Sequence, residues 1–113
     1  MLVYAKTDIG KAREMNQDFI YVSDNLKDMK LCILADGMGG YKGGEIASKL
    51  ATISAKNYLE KNIENINLEY EEILKLIKKS MDYANIEVHK KAMEIEELEQ
   101  MGTTLEICLI VRK

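Results

Sequence analysis

The stretch that decides the fold is Leu31–Gly44, LCILADGMGGYKGG. An apolar run stops at Asp36, and five glycines follow within the eight residues from Gly37 to Gly44. A continuous apolar run of strand length, bounded by turns, predicts a strand buried on both faces. KLCILA (30–35) is therefore expected to be the second arm of an antiparallel hairpin. Its first arm is 17–23, where QDFIYVSD mixes aromatic and β-branched residues, and the polar DNLKD is the turn between them.

Beyond the glycines the period changes. Ile46, Ala47, Leu50, Ile53, Ser54 and Tyr58 recur at helical spacing and predict an amphipathic helix over 44–61. A second helix is expected from about Leu68, with Tyr70, Ile73, Leu74, Ile77, Met81, Ala84 and Val88 on its apolar face. Asn67 is its expected cap, acidic residues in its first turn suit the helix dipole, and EIEELEQ reads as its solvated end. Residues 2–6 and TTLEICLIV read as further strands. The order strand-strand-strand-helix-helix-strand is that of an α+β fold. With no proline, repeat or linker, residues 1–113 read as one domain or part of one. Two helices cover one face of such a sheet. The bare face and edge favour self-association.

Composition excludes several classes. A net charge of −3 gives no reason to expect a nucleic-acid partner. No apolar run approaches the roughly 18 residues of a membrane span, and MLVYAKTDIG lacks the basic head and apolar stretch of a secretory signal. Cys32 and Cys108 lie inside apolar runs without CxxC spacing, so buried reduced thiols and a cytoplasmic setting are expected.

The glycine turn fails two phosphate-loop patterns. Gly37 and Gly39 begin G-x-G-x-x-G, but its third position is Lys42, and the P-loop triplet Gly-Lys-Ser/Thr is absent. Metal binding fits better. Mg²⁺ and Mn²⁺ take oxygen ligands, and Asp36-Gly37 offers a carboxylate and an exposed backbone carbonyl. Asp18 starts the neighbouring antiparallel strand, so both carboxylates fall at one end of the hairpin. Arg13, in the loop before it, could grip a phosphate there with its planar guanidinium. An ordinary Asp-Gly turn and a surface Arg13–Asp18 ion pair explain the same residues.

GKAREMNQD, ADGMGGYKGGEIAS and MGTT, in that order, resemble the N-terminal half of the metal-dependent protein serine/threonine phosphatases, type 2C. The resemblance spans nearly the whole chain. It implies part of a four-layer αββα sandwich of antiparallel sheets, and hydrolysis of phosphoserine and phosphothreonine in phosphorylated protein substrates. It implies that Asp36 bridges two Mn²⁺ or Mg²⁺ ions, that the Gly37 carbonyl binds one of them, and that Asp18 holds the other. Arg13 would bind the substrate phosphate, and a metal-bridging water would attack phosphorus. Gly39, Gly40, Gly43 and Gly44 would keep the turn bare because metals and water occupy that space.

Three departures stand out. Met38 replaces a histidine proposed as general acid in animal members, and Gln17 replaces a common glutamate, removing a charge near the metals. The family's domain is also longer, and its second half carries further metal-binding aspartates, so residues 1–113 are expected to be a truncated piece. The alternatives are a non-catalytic remnant or binding module of the same fold, and a helical adaptor. His89, alone on the second helix, is expected to be a surface or packing residue, and Tyr41 and Lys42 flank the turn where substrate could lie.

Overall fold

The computed structural model describes residues 17–23, 29–39, 42–67 and 69–111. The strand expected at 2–6 lies outside them. The elements are β1 (Asp18–Ser23), β2 (Met29–Met38), α1 (Gly43–Asn62), α2 (Tyr70–Glu94), β3 (Gly102–Thr103) and β4 (Glu106–Val111). Short 3-10 turns at Ile63–Asn65 and Glu96–Leu98 follow the two helices. This is an α+β arrangement, an antiparallel sheet with two helices.

β2 is the centre of the sheet. It pairs antiparallel with β1 along one edge and with β3 and β4 along the other. Gly37 faces Thr103 and Leu34 faces Glu106 in one continuous register, so TTLEICLIV forms a single edge interrupted at Thr104 and Leu105. β2 alternates strictly. Leu31, Ile33 and Ala35 are fully buried towards the helices, while Lys30, Cys32, Leu34 and Asp36 face the opposite way. The strand is therefore one-sided, although its apolar run suggested burial on both faces. The cysteines are free, as expected, but Cys32 is only half-buried and Cys108 is exposed, because both lie on that outward face.

The helices pack through small side chains. α1 buries Ala47, Ser48, Ala51, Thr52 and Ala55, and α2 buries Leu76, Ser80, Ala84, Val88 and Ala92, every fourth residue. Ridges at i±4 spacing built from alanine and serine let two backbones approach closely. The expected face of α2 is kept at Ala84 and Val88, which are buried, and at Ile77, which packs against the core, while its first members turn outward. Tyr70 is 76% exposed and Leu74 47% exposed, while Ser80 is fully buried. Likewise Ile53 of α1 is exposed. The expected Asn67 cap is not used: α2 starts after Glu69, whose backbone is extended, with no side-chain cap bond. The acidic segment after α2 is anchored by buried Leu98 rather than fully solvated. Tyr21 ties β1 to α1 through a 2.8 Å hydrogen bond to Glu60. Among the described residues, no helix is long and apolar enough to cross a membrane.

Thr52 is fully buried, and among the described residues its Oγ1 has no hydrogen-bond partner. Burying a hydroxyl without a partner costs about 1–3 kcal/mol. Thr52→Val keeps the shape and removes that cost. It is expected to raise stability by about 1 kcal/mol, read as a higher urea midpoint at unchanged slope.

Candidate metal centre

Asp18 and Asp36 are direct Cα partners across β1 and β2. Directly opposed residues in an antiparallel pair share a face, with Cβ atoms about 4.5–5.5 Å apart. Both carboxylates therefore stand on the sheet face turned away from the helices. Asp36 is exposed and Asp18 half-buried. Arg13 lies outside the described residues.

Asp36 is not the last residue of its strand. β2 continues to Met38 because β3 pairs with Gly37 and Met38. The backbone of Asp36 is held on the far edge by Thr104: its N–H donates to Thr104 Oγ1 at 3.0 Å, and its carbonyl accepts from Thr104 N–H at 2.9 Å. The carboxylate thus projects from a backbone gripped by β1 on one side and by Thr104 on the other.

The glycine turn has a different reason for being bare than the resemblance implied. A Cβ on Gly37 would strike the carbonyl of Gly44, and one on Gly44 would lie 2.5 Å from the side-chain amide of Gln17. Gly39 has φ +121°, a conformation that favours glycine, and a Cβ there would approach Met101 Cα to 2.8 Å. On Gly43 it would come within 3.0 Å of Met101 Cβ. Protein, not open space, fills these positions. Gly40 and Tyr41 lie outside the described residues, and Lys42 is exposed just before α1.

Three contributors escaped the reading of the residues themselves: Gln17, Met101 and Thr104. MGTT signals the last two, and the structure gives its physical meaning. Met101 packs under the glycines, Thr103 pairs with Gly37, and Thr104 grips Asp36. Met38 is 54% exposed on the carboxylate face, a thioether with no proton to donate. His89, exposed on α2, lines a cavity of ≈ 360 Å³ with Val88, Met101 and Thr103 on the helix side of the sheet. It is therefore separated from the carboxylates.

Among the described residues, no group of three or more His, Cys, Asp or Glu side chains could hold a metal ion. The two aspartates and neighbouring backbone carbonyls are hard oxygen donors, the chemistry that suits Mg²⁺ or Mn²⁺ and disfavours soft metals.

Residues 10–113 match the protein phosphatase 2C family. The chain belongs to that family. A putative protein phosphatase 2C-type of Streptococcus pyogenes is 35% identical over 112 residues, which are 98% of this chain and 44% of that protein. The structure of the S. agalactiae serine/threonine phosphatase superimposes with a TM-score of 0.80 at 34% identity, covering 95% of this chain and 43% of the other. The catalytic domain of the serine threonine protein phosphatase PstP, solved in complex with 2 manganese ions, matches with a TM-score of 0.74 at 30% identity, covering 95% and 42%. This protein phosphatase 2C chain thus spans less than half the length of the relatives it matches.

Proposed function

We propose that the chain forms the metal-bearing first part of a protein serine/threonine phosphatase domain acting on phosphoserine and phosphothreonine in proteins. The observation that carries this reading is the direct pairing of Asp18 with Asp36. Like charges directly opposed across two strands destabilise a sheet, and a divalent cation beside them reverses the sign. Asp36 and the Gly37 carbonyl would hold one Mn²⁺ or Mg²⁺, and Asp18, with Asp36 as the bridge, a second. Two such cations, when bound, supply an activated water and neutralise phosphate charge. Arg13 would bind and orient the phosphate, its fork matching two oxygens. Thr104 would keep the Asp36 carboxylate aimed by binding both its backbone N–H and its carbonyl on the edge away from β1.

The outward face supports a sandwich. Leu34 and Ile110 are exposed there, beside Ile20 and Val22, the register partners of Leu34 and Cys32. A second antiparallel sheet packed about 10 Å away would bury them and complete the four-layer αββα form. Without that sheet the same face and the strand edges would favour self-association. Two free thiols fit a reducing, cytoplasmic setting.

Calorimetric titration tests the metal assignment. Mn²⁺ is expected to bind weakly, because so few protein ligands leave most of the coordination sphere to water. Asp36→Asn is expected to weaken binding at least tenfold, about 1.4 kcal/mol. Affinity unchanged by that substitution would move the site elsewhere.

A further inference from the structure

The geometry points to Gln17 as a positioning residue of the metal centre, one that acts through its carboxamide N–H and not through charge; this rests on the reading of Asp36 and Gly37 as metal-holding. Three contacts carry it. The Gln17 backbone carbonyl accepts from Gly37 N–H at 3.0 Å, its side-chain Nε2 donates to the Gly39 carbonyl at 3.3 Å, and its side-chain amide lies over the Cα of Gly44. One residue therefore touches both ends of the strand-to-helix turn and its middle. Along β1 the faces alternate, so the Gln17 side chain lies on the helix side, opposite Asp18. A glutamate here would have no proton to offer the Gly39 carbonyl and would set two oxygens against each other.

The resemblance treated this position as a missing charge. The contacts make it a staple instead. By holding Gly39, Gln17 fixes the direction in which the backbone leaves Asp36-Gly37, and so the orientation of the Gly37 carbonyl relative to the aspartates.

Two variants separate the roles: Gln17→Met, of similar length without hydrogen bonds, and Gln17→Glu, of the same shape without the N–H. In the metal-free protein, NMR amide exchange of Gly37, Gly39 and Gly44 is measured; in a second arm, Mn²⁺ affinity is measured by titration. Both variants are expected to speed Gly37 exchange and to weaken Mn²⁺ binding about five- to tenfold, the worth of one hydrogen bond, with unchanged circular dichroism. Gln17→Glu binding Mn²⁺ as well as or better than the parent, with exchange unchanged, overturns the proposal, as does Gln17→Met with parental exchange. If the parent chain itself binds no Mn²⁺, the metal assignment fails, while the exchange arm still decides whether Gln17 staples the turn.

Discussion

Gly37→Ala is expected to abolish measurable Mn²⁺ binding and to destabilise the fold by about 3 kcal/mol or more. The added methyl meets backbone on both sides: the carbonyl carbon of Gly44 at 2.5 Å with its oxygen closer still, and the carbonyl oxygen of Gln17 at 2.8 Å. A flexible side chain could swing aside, but these atoms belong to the start of α1 and to the lead into β1. Relief requires α1 to slide along the sheet or the end of β2 to peel from its neighbour. Either movement shifts Asp36 away from Asp18. Gly102→Ala is the control, since its methyl would meet only the Met38 side chain, at 3.4 Å and beyond, an ordinary contact. Urea unfolding and Mn²⁺ titration of both variants, side by side, check the expectation. A Gly37→Ala protein with the parental midpoint and affinity would refute the backbone packing described for this turn.

What could be read from the residues follows from which signals are local. The β1–β2 hairpin was legible because alternation and turn composition are local, and strand polarity alone brings Asp18 and Asp36 to one end. The direct pairing needed the register, which no local pattern prints. The span of α1 was legible to within a residue, and Ala84 and Val88 were legible on the buried face of α2, but the first turns of that face were not. Large apolar residues at helical spacing mark a face only where the neighbour is far enough away to admit them. Here α1 presents Ala47, Ala51 and Ala55, so the small ridge through Ser80 and Ala84 wins and Tyr70 and Leu74 turn outward. The site followed the same division. The carboxylates announce themselves by type, but Gln17 and Thr104 act through hydrogen bonds that span 20 to 68 positions of sequence, and Met101 acts by packing under the glycines. Only the fold can bring such partners together.

The largest effect is expected on turnover. Residues 1–113 alone are expected to hydrolyse a phosphothreonine peptide slower, on the order of a thousandfold or more, than the same chain combined with the complementary half of a related phosphatase. Two-metal hydrolysis needs both cations fixed in place, and a mispositioning of about 1 Å can cost a hundredfold. The described residues gather Asp18 and Asp36 but no third His, Cys, Asp or Glu that could hold a metal with them. The outward face, with Leu34 and Ile110 exposed, would offer a complementary half a surface to pack on. Mixing the two pieces should therefore restore Mn²⁺-dependent hydrolysis, with Arg13→Ala raising KM for the peptide and Asp36→Asn removing activity. The isolated chain is the deciding control. If it turns over the peptide at an ordinary enzyme rate of about 1 s⁻¹ or faster, and Asp36→Asn abolishes that rate, two carboxylates suffice. The requirement for further ligands from the complementary half is then wrong.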